Sequence, residues 1–177
     1  MLLLRPNYMK KIISPVLFIA LAVILRLIPH VPNIAPIAAM ALFGGVYLNK
    51  KYALIIPIIA MMISDIFLGF HNTMIFVYGS FLIVGLIGLY LRNHKNIASI
   101  VAASLLSSVL FFVITNFGVW LMSGMYTKTL TGLMDAYIMG IPFFRNTVLG
   151  DLLYVGILFG SYEFALRIMP KLAFSKK

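Results

Sequence analysis

Hydrogen-bonding and ionisable side chains are rare in this sequence, yet several of them recur at helical spacing. Thr147, Asp151 and Tyr154 follow one another at i, i+4 and i+7, and Asn116 and Trp120 at i, i+4, so each set shares one helix face. These faces predict the wall of a binding site, with side chains that form hydrogen bonds to a flat ligand and aromatic rings that stack on it. The alternatives are an aromatic belt at the membrane interface for Trp120 and core packing for Tyr154.

Motifs for catalysis or metal binding are missing. The chain has no cysteine, which excludes thiolate metal sites and cysteine nucleophiles. No H-E-x-x-H pair occurs, and Asp151 follows Val148-Leu149-Gly150, which departs from the G-x-G-D pattern of intramembrane aspartyl proteases. We therefore expect neither an enzyme nor a cofactor. Because there is no Gly-rich phosphate-binding loop, any coupling to nucleotide hydrolysis requires a partner.

The elements that position these residues are predicted to be membrane helices. Hydrophobic residues make up 63% of the 177-residue chain, charged residues only 10%, and the mean hydropathy is +1.07. Continuous apolar runs without period-2 alternation predict an all-α integral membrane protein, a single transmembrane domain over residues 1–177. We expect about six spans, near residues 12–28, 36–48, 52–69, 72–91, 97–122 and 145–168. Between the last two, the connection Ser123 to Phe144 contains an apolar stretch, Leu130 to Ile141, that re-enters or lies on the membrane.

The basic residues predict the orientation. With these spans, eleven of the 14 Lys and Arg residues fall on one side and three on the other, namely Arg26, Lys128 and Arg145. The positive-inside rule then places both termini in the cytoplasm of a cell whose inner membrane holds the protein. Lipid head groups account for the formal net charge of +10, so we expect the lipid bilayer and not nucleic acid as the basic residues' partner.

This orientation brings most of the polar residues to one level near the outer face. Ionisable groups inside a membrane are costly unless they are paired or face water, so they are functional candidates. The predicted substrate-binding residues are Arg26, His30, Asn33, Asp65, His71, Asn72, Asn116, Trp120, Asn146, Asp151 and Tyr154. The alternative is structural, because Arg26 could pair with Asp65 or Asp151 and simply hold helices together.

Small residues on the second predicted helix give a further signal. Ala38, Ala41 and Gly45 share a face, which permits close contact between helices in lipid. This face is a candidate docking site for another membrane protein. Its alternative use is internal packing, since so short a helix needs protein neighbours.

Several segments together resemble a family of uncharacterised bacterial membrane proteins classed as transport proteins. That family in turn looks related to the substrate-binding subunits, called S components, of energy-coupling factor vitamin transporters. The segments are Arg26-x-x-Pro29-x-x-Pro32-Asn33-x-x-Pro36-x-Ala38, Leu42-Phe43-Gly44-Gly45, Ser64-Asp65 with Gly69 and His71, Thr115-Asn116-Phe117-Gly118-Val119-Trp120, Pro142-Phe143-Phe144-x-Asn146 and Gly150-Asp151.

The resemblance implies six helices, cytoplasmic termini and a vitamin-sized pocket near the outer face. It implies that the loops 29–35, 70–72 and 123–144 cover this pocket, and that helices 1 to 3 dock on a transmembrane coupling subunit served by two ATPases. Many such subunits carry an A-x-x-x-A docking pattern in helix 1. This chain departs from that pattern, because the residue four positions after Ala20 is Ile24 and not alanine. Action without the shared module is therefore the alternative.

The sequence thus predicts a substrate-binding membrane subunit for uptake of a vitamin-like small molecule. One alternative is a proton-coupled carrier or small channel in which Asp65 and Asp151 bind protons. Another is a structural membrane protein that recruits partners.

Overall fold

The computed structural model describes residues 15–28 and 31–174, and this part of the chain is helical. Six helices are present in it: α1 (Pro15–Leu27), α2 (Ile37–Tyr47), α3 (Ile55–Leu68), α4 (Met74–Leu91), α5 (Ile97–Met122) and α6 (Leu130–Phe174). The predicted bounds of the fifth helix are confirmed, and those of the second to fourth agree within three residues. The all-helical class is confirmed as well.

Three of the helices are long and apolar enough to cross a membrane. These segments are Met74–Leu91, Ile97–Met122 and Leu130–Ile168, with mean hydropathies of 2.2, 2.5 and 1.3. The other three are apolar but shorter; α2, with 11 residues, extends only about 17 Å at 1.5 Å per residue. Within the described residues, the structure therefore supports an all-helical membrane protein of six helices, three of which are long and apolar enough to cross a membrane.

The short helix α2 lies at the centre of the bundle, where it contacts each of the other five helices. All residues from Ala38 to Val46 are buried. A side chain on Gly45 would meet the backbone of α4, since its Cβ would lie 2.6 Å from the carbonyl oxygen of Gly85 and from Gly88. The absence of side-chain bulk at these glycines thus sets the separation between α2 and α4.

This central position corrects the predicted docking face. Ala38, Ala41 and Gly45 are all buried within the chain, so they do not present a surface to a partner protein. The small residues serve internal packing, which is how an 11-residue helix can be accommodated among longer ones.

The prediction for the last helix is wrong in its first third. We expected a long connection from Ser123 to Phe144, whereas α6 already begins at Leu130 and runs for 45 residues. Its first turn is capped by Thr129, whose Oγ1 accepts a hydrogen bond from the backbone N–H of Gly132 at 3.2 Å. The helix continues through Pro142, which removes one backbone donor, a loss that membrane helices tolerate.

The two ends of the bundle differ in character. The α1–α2, α3–α4 and α5–α6 connections lie at one end, which we call the cavity end. At the opposite end, Arg92 donates hydrogen bonds to the carbonyl oxygens of Gly45 and Leu48, satisfying the C-terminus of α2. Lys95 and Glu163 form an ion pair there, and the Tyr47 hydroxyl donates to the same carboxylate at 2.5 Å.

Candidate functional site

A cavity of about 290 Å³ lies between the helices at the cavity end. Its volume is at the lower limit of the range typical of small-molecule sites, roughly 300–1,000 Å³. Residues from all six helices or their connections contribute to its walls: Arg26, Asn33, Ala35, Ile37, Ala38, Leu68, Phe81, Phe111, Thr147 and Asp151. The walls are mostly apolar, with a few polar groups that could orient a ligand.

One wall carries a buried ion pair between α1 and α3. Arg26 Nη2 lies 2.5 Å from Asp65 Oδ1, and the two side chains are 10% and 5% exposed. Arg26 also donates to the carbonyl oxygen of Met61 at 3.2 Å and to the hydroxyl of Ser64. The Tyr78 hydroxyl donates to the second carboxylate oxygen of Asp65 at 2.5 Å. The charge of Arg26 is thus neutralised within the wall. The pairing that the sequence offered as the structural alternative, Arg26 with Asp65, is present.

The α6 wall carries a second carboxylate in a different environment. Asp151 is 3% exposed, and the hydroxyl of Ser108 on α5 donates to its Oδ2 at 2.7 Å. Within the described residues, no basic side chain forms an ion pair with Asp151. Thr147, one helical turn earlier, lines the same wall. Asp151 is therefore the carboxylate that a ligand or a proton would meet.

An aromatic pair contributes the largest apolar groups of the lining. The rings of Phe81 on α4 and Phe111 on α5 stack with centroids 5.2 Å apart and an interplanar angle of 27°. Both residues line the cavity. The cavity therefore combines aromatic surface with a buried carboxylate.

Residues 31–36 of the α1–α2 connection cover this region and are held onto α6. The amide Nδ2 of Asn33 donates to Thr147 Oγ1 at 3.3 Å, and that of Asn146 donates to the carbonyl oxygen of Pro32 at 3.0 Å. A Cβ on Gly150 would lie 2.9 Å from the Cα of Ile34, so the glycine permits close backbone approach. Asn33 itself has φ of 64°, in the left-handed region that asparagine tolerates better than most residues.

Five of the predicted site residues contribute to the cavity or its immediate support. Arg26, Asn33 and Asp151 line it. Asp65 pairs with the lining arginine, and Asn146 holds the covering connection.

Two predicted residues of the α3–α4 connection are exposed and do not line the cavity. His71 Nδ1 lies 2.8 Å from the Thr73 hydroxyl, and Asn72 Nδ2 is 3.5 Å from the carbonyl oxygen of Met122. His30 lies outside the described residues.

The three predicted residues on the faces of α5 and α6 also lie away from the lining. Asn116 donates to the carbonyl oxygen of Phe112 in its own helix at 2.8 Å. Trp120 closes the α5–α6 connection, where its Nε1 donates to the carbonyl oxygen of Thr127 at 2.9 Å. Tyr154 is partly buried and packs against the hydrophobic core. Of the two residues that share helical spacing with Asp151, Thr147 therefore lines the cavity and Tyr154 does not.

Sequence reasoning did not identify the groups that complete the site. Ser108 supplies the hydrogen bond to Asp151, Tyr78 supplies one to Asp65, and Phe81 and Phe111 supply the aromatic surface. A signal existed for α5, because Ser104, Ser108 and Phe111 follow at i, i+4 and i+7 on one face. In the part of the chain that the structure describes, no group of three or more His, Asp or Glu residues is placed to hold a metal ion.

These features define an all-helical membrane protein with a partly polar cavity between its helices at one end. The chain belongs to the family described as "Family of unknown function (DUF6580)", whose model matches residues 7–172. No match is found among the curated proteins or among the solved structures.

Proposed function

We propose that this protein is a substrate-binding membrane subunit that captures a small molecule for uptake. The observation that carries the proposal is the cavity of about 290 Å³ whose walls include Arg26 and Asp151. Polar groups buried in a membrane protein are costly, and their concentration around one cavity is the arrangement expected of a ligand site. Helix cohesion alone would account for the Arg26–Asp65 pair but leaves Asp151 without a role.

The proposed direction is capture from outside the cell. The α4–α5 and α2–α3 connections, opposite the cavity, carry Lys50, Lys51, Arg92 and Lys95, which under the positive-inside rule belong in the cytoplasm. The cavity then faces the exterior, and both termini lie in the cytoplasm of a cell whose inner membrane holds the protein.

The resemblance to S components adds a proposed partner. A transmembrane coupling subunit with two ATPases would supply the energy for release into the cell, because the sequence itself has no nucleotide-binding loop. Since the small-residue face of α2 is buried, such a partner would contact other surfaces. Apolar side chains of α1 and α3, including Leu21, Ile24 and Ile63, are exposed in this chain and face either lipid or such a subunit.

Native mass spectrometry of the gently purified protein tests the capture function. We expect one small molecule to remain bound to the wild type and to be lost from Asp151→Ala. Asn116→Ala is the matched control, because Asn116 does not line the cavity and bonds within its own helix. The capture proposal fails if the wild type carries and binds no small molecule, and the site assignment fails if both variants retain the ligand equally.

A proton-coupled carrier is a second candidate. It is favoured by the fact that Asp151 has no basic partner among the described residues. Asp65 suits a proton site less well than expected, because it pairs with Arg26. Uptake into liposomes driven by a pH gradient, without any ATPase subunit, would support this candidate. Strict dependence on an ATPase partner would exclude it.

A further inference from the structure

The charges around the cavity do not balance. Arg26 is the basic residue of the lining, and its partner Asp65 neutralises it. The other two basic residues near this end are engaged or exposed: Lys128 donates to the carbonyl oxygens of Trp120 and Leu121, and Arg145 is exposed. In the described part of the molecule, Asp151 therefore presents to the cavity a carboxyl group that no basic side chain pairs with.

The remaining polar contact of Asp151 is too weak to replace a counter-ion. The hydroxyl of Ser108 donates one hydrogen bond to Oδ2, and the side chain is nearly completely buried at 3% exposure. A buried carboxylate with one neutral donor is stabilised by a positive charge placed against it. The cavity that Asp151 lines is where such a charge would sit.

The aromatic pair favours the same kind of ligand. Phe81 and Phe111 line the cavity together with Asp151, and the faces of aromatic rings attract cations, above all when water is excluded. The cavity volume of about 290 Å³ corresponds to roughly ten water molecules at about 30 Å³ each. This limits the enclosed part of a ligand to on the order of ten non-hydrogen atoms.

We infer that the captured molecule is a small organic cation, a protonated amine or quaternary ammonium, whose charge lies against Asp151 and whose apolar body lies on Phe81 and Phe111. This inference rests on the proposed capture function. Arg26 does not oppose it, because its charge is already paired with Asp65.

Calorimetric titration of the full chain in nanodiscs of zwitterionic lipid tests this inference with three probes of similar size. The probes are benzylammonium, its neutral counterpart benzyl alcohol and the anion benzoate. We expect saturable binding of benzylammonium that is stronger than that of the other two probes. Asp151→Asn, which keeps the shape and removes the charge, should weaken benzylammonium binding by roughly tenfold or more and leave benzyl alcohol unaffected.

Two further variants make the result specific. Glu163→Gln removes the same charge outside the cavity and should bind benzylammonium like the wild type. Phe111→Leu keeps Asp151 and should weaken benzylammonium severalfold through loss of the aromatic face, which provides a test if Asp151→Asn does not fold.

The outcomes separate this inference from the capture function. Equal binding of benzylammonium and benzyl alcohol, or benzylammonium binding that neither cavity variant weakens, overturns the cationic ligand. A neutral or anionic molecule found bound to the wild type by native mass spectrometry also overturns it, while the capture function stands. If no probe binds and no molecule co-purifies, both proposals fail.

Discussion

The buried pair of Arg26 and Asp65 should be worth several kcal/mol, and a double-mutant cycle can measure it. The charged atoms lie 2.5 Å apart with side chains only 10% and 5% exposed. At an effective dielectric constant of about 20, two unit charges about 4 Å apart interact by about 4 kcal/mol, and removal of one partner of a buried pair costs about 3–5 kcal/mol. We therefore expect Asp65→Asn and Arg26→Met each to lower the free energy of unfolding by about 3–4 kcal/mol.

The double variant should lose less than the sum of the single losses, with a coupling of about 2–3 kcal/mol, because neither charge is then left alone. Unfolding by SDS in mixed micelles, followed by the fluorescence of the single tryptophan, measures all three variants. Glu163→Gln is the matched control, since its pair with Lys95 is about one third exposed and should contribute less than about 1 kcal/mol. If Asp65→Asn is no less stable than Glu163→Gln, or if the single losses add, the pair does not hold α1 to α3.

Three further results are expected. Gly150→Ala should loosen the covering connection, because its Cβ would lie 2.9 Å from the backbone of that connection. Amide hydrogen exchange over residues 31–36 should then be faster. Gly160→Ala, which has open space around it on the same helix, should not change this exchange. Gly88→Ala should lower the free energy of unfolding by about 1–3 kcal/mol through overpacking of α2 against α4, measured by the same SDS titration. In this cysteine-free chain, a membrane-impermeant maleimide added to intact cells should label Lys128→Cys and not Asn93→Cys; the reverse pattern would refute the proposed orientation.

The sequence predicted helices well wherever polar residues mark the ends of an apolar run. The fifth helix is the best case, because Asn96 precedes it and accepts a hydrogen bond from the Ser99 backbone at 2.8 Å as its cap. The last helix was predicted to start 15 residues too late, at Arg145 rather than at Leu130, although the helix continues through Pro142. A proline removes one hydrogen bond of a helix, and the neighbouring turns of α6 remain intact across it.

The site was predictable in its charged residues and in two of its asparagines, Asn33 and Asn146. Burial of Asp65, Asp151 and Arg26 follows from the cost of charge in a membrane, which sequence alone reveals. Their partners depend on how helices are rotated about their axes, so the sequence left open whether Arg26 pairs with Asp65 or Asp151. The same uncertainty placed Asn116 and Trp120 in the site, although both bond close to their own positions in the chain.

The packing at the opposite end bears on whether the proposed ligand would be held in the cavity or would pass through the bundle. Rings of Phe43, Phe159 and Tyr162 meet edge to face there, with centroids 5.2–5.6 Å apart, and Phe43 is completely buried. The Tyr47 ring packs against the same cluster in a tilted arrangement, and its hydroxyl group bonds to the Glu163 carboxylate of the Lys95–Glu163 pair. A ligand leaving the cavity toward this end would have to separate packed aromatic rings and an ion pair. This arrangement favours a protein that holds its ligand until a further event opens the bundle, and it disfavours a small channel.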